Sequence, residues 1–354
     1  MTLTVAILEF VAGGGLCHMP WNEIPTSLRT EGAGMLEALV MDLARSNIRP
    51  LAFLDERFAT SEITDPCRFT PMDQTQDWRE QWLRLARQSD ATVLIAPETD
   101  GVLLELCRWL RAEGIQIIAS DEDFLRATTD KLRTAQFLAM NGIEHPDTRV
   151  LREWNVHDQS NLSHLACKDG FVVKNRDGAG CDTIHRMRNV SDVISFNRDN
   201  LDSNAWIVQP WKEGIAGSVS VLCGPNDQVI LPSSTQRIAS QRSVCYEGGT
   251  APWQGLSQAT ITNFALRTLA AMPGQHLGWI GIDWVCTPDN KLIPIEINPR
   301  VTTSIVGLKH LFSNSLAEAM IRIGLGESYS LNPLPLTVEW STFPTFNVKT
   351  HGRS

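Results

Sequence analysis

The segment Leu292–Arg300 reads LIPIEINPR, and just ahead of it Gly278–Cys286 reads GWIGIDWVC. In the first, Ile293, Ile295 and Ile297 alternate with Pro294, Glu296 and Asn298. Successive side chains of a strand point to opposite faces, so Glu296 and Asn298 share one face while the isoleucines pack inward. If Thr287-Pro288-Asp289-Asn290 forms the turn, Cys286 pairs with Lys291 and Asp283 falls opposite Pro294. Paired residues point to the same side, which puts Asp283 on the face of Glu296 and Asn298, about 7 Å from Glu296 on the diagonal. Two carboxylates and an amide are the oxygen donors that Mg²⁺ takes, with phosphate oxygens and water completing its shell. A surface hairpin also carries acids, but Arg300 follows the strand directly, and carboxylate, amide and guanidinium in sequence suit a polyanion.

Positive charge that could meet such a polyanion lies upstream. Lys131 follows Asp130 at the start of a helical pattern, where an ammonium and a free helix N-terminus together suit a phosphate. Lys174 ends the apolar run Phe171-Val172-Val173, so a strand delivers its ammonium to one face. Directly after it, the stretch Asp177-Gly178-Ala179-Gly180-Cys181-Asp182 can form a loop whose backbone N–H groups cover phosphates. Ala205–Gln209 reads as a strand leaving through Pro210-Trp211-Lys212, a connector able to offer backbone groups to an adenine edge. Pro210 has only its carbonyl to give.

The first third alternates strands and helices: strands at Val5–Phe10, Pro50–Leu54, Ala91–Ala96 and Ile115–Ala119, with helices from an N-cap at Thr30, over Trp78–Gln88 and over Val102–Glu113. That alternation argues for a parallel sheet, so the fold class is α/β. After Ser120 the pattern becomes α+β. A helix over Lys131–Asn141 is followed by short strands at 170–175, 205–209, 218–223, 228–231, 279–286 and 291–298, with hairpin-like spacing.

At 354 residues the chain is long enough for two or three packed units. A net charge of −9 does not suggest a nucleic-acid or anionic-membrane surface. The eight cysteines have no CxxC spacing and read as free thiols. No uncharged stretch approaches the ~20 residues that span a bilayer, and the first residues lack a basic leader region. A cytoplasmic protein is expected.

Taken in order, Asp130-Lys131, Lys174 with its glycine loop, Gln209–Lys212, Asp283 and Glu296-x-Asn298-Pro299-Arg300 resemble the ATP-grasp family across roughly residues 120 to 325. The resemblance implies a parallel α/β pre-ATP-grasp domain over 1–119 and an ATP-grasp fold of two α+β subdomains. These would be a small lid over 120–204 and a large part with the metal site over 205–345. It implies ATP as cofactor, with Lys131, Lys174, Gly178 and Gly180 at the phosphates and Gln209, Pro210 and Lys212 at adenine. Asp283, Glu296 and Asn298 would hold two Mg²⁺ ions, with Mn²⁺ an allowed substitute. Arg300 and Lys174 would act on the transferred phosphoryl group. Relatives place a ribose carboxylate just before a Ser-Val-Ser-like strand; here that stretch is Gly214–Ser218, and the nearest carboxylate is Glu213.

The front half, with Leu8-Glu9-Phe10, Gly13-Gly14, Ser27-Leu28, Glu31-Gly32, Ala96-Pro97-Glu98 and later Tyr246-x-Gly248-Gly249, resembles the tyramine–glutamate ligase group of methanofuran-type cofactor biosynthesis. That likeness implies amide formation between a small carboxylate and an amine through an acylphosphate, with Glu31, Tyr246, Gly248 and Gly249 near substrate. Cys181 has no catalytic part in such a mechanism, and a homodimer is admitted. An amino acid–amino acid ligase, a phosphotransferase and a non-catalytic ATP-binding protein are the alternatives.

Overall fold

The computed structural model describes residues 2–58, 63–154, 169–178, 184–199, 202–240, 244–342 and 345–352. The front half is built on a parallel four-stranded sheet of order β3-β2-β1-β4, formed by β1 (Leu3–Glu9), β2 (Ile48–Leu54), β3 (Thr70–Pro71) and β4 (Ala91–Ile95). Every residue of β4 and the last five of β1 are buried, as expected for strands covered on both faces. Helix α1 (Thr26–Leu43) covers one face; α2 (Trp78–Arg87) and α3 (Val102–Ala112) belong to the core on the other.

Two expectations shift here. The helix expected from Thr30 begins at Thr26, directly after Pro25, and Thr30 lies buried inside it. Ile115–Ala119 is not a full strand: Ile117 makes one parallel bridge to Thr92, and the chain then turns away toward α4 (Glu122–Thr128), whose N-cap is Asp121.

Beyond α5 (Lys131–Met140), a four-stranded antiparallel sheet of order β5-β8-β6-β7 forms a separate layer. Its strands are β5 (Arg149–Val150), β6 (Phe171–Asn175), β7 (Ile184–Met187) and β8 (Trp206–Pro210), with α6 (Val190–Asp199) against them. This sheet continues through Pro210, past the division expected at 204/205, because β8 hydrogen-bonds to β6 rather than to the strands that follow.

The remaining strands make an eight-stranded sheet with antiparallel pairings. They are β9 (Ile215–Cys223), β10 (Gln228–Ile230), β11 (Ser234–Ser240), β12 (Val244–Ala251), β13 (Gly278–Cys286), β14 (Leu292–Asn298), β15 (Leu336–Ser341) and β16 (Asn347–Gly352). Helix α7 (Gln258–Ala270) contributes to the core on one face of the sheet. On the other, α8 (Ile305–Leu308) and α9 (Leu316–Gly324) share a core with α1, so the front half and the large sheet are packed as one body.

That junction has a polar pin. Asp42 of α1, 1% exposed, accepts from the Ser315 hydroxyl at 3.0 Å and the Ala317 N–H at 2.8 Å. Ser315 is also the N-cap of α9, accepting from Glu318 N–H. Among the described residues no helix is long and apolar enough to cross a membrane, and six cysteines are free. Asp42→Ala leaves two buried donors without their acceptor, so it should cost about 1–3 kcal/mol, read as a lower midpoint in thermal unfolding.

Candidate active site

The expected hairpin between β13 and β14 forms, but in a different register. Cys286 pairs with Leu292, Trp284 with Pro294, and Asp283 with Glu296 rather than with Pro294. Two features cause the change. The turn includes Lys291, whose carbonyl accepts from Thr287 N–H at 2.9 Å, and Asn290 takes a left-handed φ of 62°. The ladder then shifts between Asp283 and Trp284, leaving Ile295 as an extra residue on β14. Pro294, which has no N–H to give, sits beside the bulge on an edge strand. Ile295 consequently lines the cavity with Glu296 instead of packing inward with Ile293 and Ile297.

Asp283 and Glu296 therefore face each other directly. Asp283 accepts from Gln236 Nε2 at 3.0 Å and from Asn298 Nδ2 at 3.3 Å. Burial, and then the Glu296 charge, push its carboxyl up to about 6, against the hydrogen bonds from Ser218, Asn298 and Gln236. For Glu296 burial acts the same way, but Lys131 and Lys174 outweigh it and hold the carboxyl below its usual range. Lys131 Nζ lies 3.3 Å from one Glu296 oxygen and Lys174 Nζ 3.9 Å from the other. Both lysines are buried. Desolvation pulls Lys174 down to about 8, opposed by Glu296.

The start of α5 differs from expectation in one respect. Asp130 caps the helix, accepting from Leu132 and Arg133 N–H, and is itself bound by Arg176 at 2.5 Å. The helix N-terminus is thus satisfied, and only the Lys131 ammonium is presented. It donates to Gly178 O at 2.5 Å, tying α5 to the start of the glycine loop. Gly180 and Cys181 lie outside the described residues.

A cavity of about 560 Å³ runs between the small and large sheets. Its wall includes Lys174, Gln209, Pro210, Lys212, Glu213, Asp283, Glu296, Asn298 and Arg300, and also Glu31 and Tyr246. Gln209 is buried and donates to Thr148. The Trp211 N–H is used by Gly170 O at 2.9 Å, whereas that of Lys212 has no backbone partner among the described residues. Glu213 accepts from Trp211 Nε1 at 2.9 Å and lies 3.4 Å from Arg186. Tyr246 stands in the wall, but its hydroxyl is taken by Trp340 Nε1 at 2.7 Å, and burial raises its pKa.

Gly248 and Gly249 do not reach the cavity wall. They belong to β12 where it pairs with β15; at Gly248 (φ 133°) a Cβ would lie 2.0 Å from the Trp340 carbonyl oxygen. Their glycine identity is explained by this close strand approach, not by substrate.

Arg300 has a partner that spacing could not reveal. Its Nε and one terminal nitrogen donate to the two Glu98 oxygens at 2.9 and 3.0 Å, a two-pronged ion pair in which Glu98 is buried and Arg300 largely so. Burial opposes the guanidinium's charge, but Glu98 more than restores it. Glu98 follows the C-terminal end of β4, the edge where open parallel sheets gather ligands; the sequence marked it by that position and within Ala96-Pro97-Glu98, but gave no sign that Arg300 would be its partner. A small second cavity, about 20 Å³, adjoins this pair and is lined by Glu9, Glu31 and Arg300. Glu9 accepts from Ala12 N–H at 2.5 Å and Gly13 N–H at 3.4 Å. Burial nevertheless pushes its carboxyl up to about 7.

A family model described as an ATP-grasp domain matches residues 128–304, and one described as a pre ATP-grasp 3 domain matches 48–123. The chain belongs to the ATP-grasp family. It is 25% identical over 235 residues to the tyramine–L-glutamate ligase of Methanocaldococcus fervens, covering 66% of this chain and 65% of that one. The match thus spans just under two thirds of that relative's length. The structure is similar to an ATP-grasp superfamily protein from Archaeoglobus fulgidus (TM-score 0.67, 21% identity, 99% of this chain and 100% of that one). It is also similar to the biotin carboxylase domain of Hydrogenobacter thermophilus 2-oxoglutarate carboxylase, solved with MgADP (TM-score 0.70, 14% identity, 96% and 74%). These likenesses carry the fold.

Two stability predictions follow from the buried charges. Glu98→Ala strands the Arg300 guanidinium without its counter-ion and should cost about 3–5 kcal/mol in thermal unfolding. Glu9 holds its proton more tightly folded than unfolded, so its contribution falls as pH rises from about 4.5 to about 7. Glu9→Gln should therefore flatten the stability profile over that range by roughly 2–3 kcal/mol relative to the unaltered chain.

Proposed function

We propose that this ATP-grasp protein is an ATP-dependent ligase that joins a carboxylate to an amine through an acylphosphate, releasing ADP and phosphate. The observation that carries the reading is the placement of two buried lysines at Glu296, directly opposite Asp283, where Lys174, Glu296 and Asp283 line a cavity of about 560 Å³. An arrangement of fixed charge suits phosphoryl transfer, which needs positioning and charge neutralisation more than covalent chemistry.

In this reading the small sheet and the connector hold ATP. Pro210 O and Lys212 N–H take the adenine edge, Val172, Ile184 and Ile295 bound the base, and Glu213 receives the ribose hydroxyls. Lys131 and Lys174 exchange their contacts with Glu296 for contacts with the phosphates. The residues present fit Mg²⁺: Asp283, Glu296 and the Asn298 amide oxygen are hard donors that would hold the ion, with phosphate oxygens supplying further donors. Magnesium, when bound there, supplies charge neutralisation at the β- and γ-phosphates.

The acid's carboxylate oxygen attacks the γ-phosphorus as the bond to the bridging oxygen breaks and ADP leaves. The amine nitrogen then attacks the acyl carbon, phosphate departs, and the nitrogen loses a proton. Arg300, immobilised by Glu98, steadies the transferred phosphoryl group. Glu31, at the meeting of the two cavities, offers a carboxylate to the amine's cationic form, and Tyr246 bounds the substrate end. Glutamate and tyramine, the pair in the relative's name, are the first acid and amine to supply.

ADP release should require ATP, Mg²⁺, an acid and an amine together, measured by a coupled assay across a panel of acids and amines. Glu296→Gln should lower it at least about 100-fold with the fold retained. Release with the acid alone would make the protein a phosphotransferase, and full activity in Glu296→Gln would sink the metal assignment.

A further inference from the structure

We propose that Arg186 is a specificity-determining residue for the nucleotide, acting through Glu213 to make the site select ribose hydroxyls. The proposal rests on the nucleotide placement given above. Arg186 lies on β7 opposite Val172 of β6, which lies opposite Gln209 of β8, so the three side chains share the face that lines the cavity. From there the guanidinium carbon stands 4.2 Å from the centre of the Trp211 ring. This is cation–π distance, with the planar guanidinium against an aromatic ring. A terminal nitrogen of the same group lies 3.4 Å from Glu213 Oε1, and Trp211 Nε1 donates to that oxygen at 2.9 Å.

Glu213 is otherwise exposed, with 55% of its side chain open to solvent. A glutamate so placed samples many rotamers, and ordering it upon binding costs up to about 2 kcal/mol. Two donors converging on Oε1 hold one conformation before any ligand arrives. Oε2 has no partner among the described residues and remains available as an acceptor. The backbone is fixed as well: Gly214 (φ 152°) runs so close to β13 that a Cβ would lie 2.2 Å from Cys286 O. A ribose diol can donate to a carboxylate held this way, and a dideoxyribose cannot.

The test is the ratio of dissociation constants for ATP and 2′,3′-dideoxy-ATP, by titration calorimetry with the full chain. The unaltered protein should prefer ATP about tenfold or more, the worth of a hydrogen bond to a charged acceptor. Arg186→Ala, and separately Trp211→Phe, which keeps the ring but removes the N–H donor, should each bring the ratio to within about threefold. Both should do so by weakening ATP while leaving the dideoxy analogue unchanged. Adding Arg186→Ala to Glu213→Gln should then cost nothing more. The proposal is overturned if Arg186→Ala keeps the ratio of the unaltered chain. It is also overturned if the loss affects both triphosphates equally and spares adenosine, which would make Arg186 a phosphate ligand. If the unaltered chain binds neither triphosphate, this inference and the nucleotide reading beneath it fall together; if it binds both equally, only the inference falls.

Discussion

Two carboxylates on directly paired residues of neighbouring strands repel each other, and burying them makes the repulsion worse. Asp283 and Glu296 are in that position, and the surrounding architecture is what makes it tolerable. Three uncharged groups serve Asp283, while Glu296 is served by ammonium groups brought from two separate elements, the first turn of α5 and the end of β6. Neither lysine could reach Glu296 if the small sheet and α5 were not docked over the large one. The electrostatic need of one strand pair thus fixes where another layer of the protein must lie. Lys131 and Lys174 meet that need from within the chain; a triphosphate with a divalent ion would meet it from outside.

The front half is held to the same centre by a different charge. Glu98 grips Arg300 from the C-terminal edge of the parallel sheet, and Asp42 pins the far side of that half to α9. Between these fastenings a shared apolar core joins α1 to α8 and α9. The cavity is for this reason not owned by one unit: Glu31 from α1 lines it alongside Arg300 and Tyr246.

Much of this was written in local pattern. The parallel strands announced themselves as apolar runs, and the acidic face of β14 followed from alternation. What escaped had physical reasons. The bulge at Ile295 adds one residue to a strand and leaves no mark in composition beyond a nearby proline. Strands β11 (STQRIAS) and β12 (VCYEGGTA) carry too much polar and glycine content to read as strands, because their stability comes from neighbours on both sides. The cap at Asp130 was visible as a residue, but not that Arg176, from β6's end, would share it. Glu98 stands 202 positions from Arg300, and no spacing rule reaches that far. The placement of individual side chains was legible where contacts are local, and hidden where it depends on long-range closure.

The bulge has an effect of its own. In a regular strand, neighbours in sequence look in opposite directions, so a greasy residue and a charged one that are adjacent cannot serve the same ligand. One extra residue at Ile295 suspends that rule for a single step, and Ile295 and Glu296 both meet the cavity. A molecule with a flat apolar end and a charged end can therefore lean on consecutive residues of one rigid edge. Its length is measured against the backbone repeat itself, with no loop in between to blur the gauge.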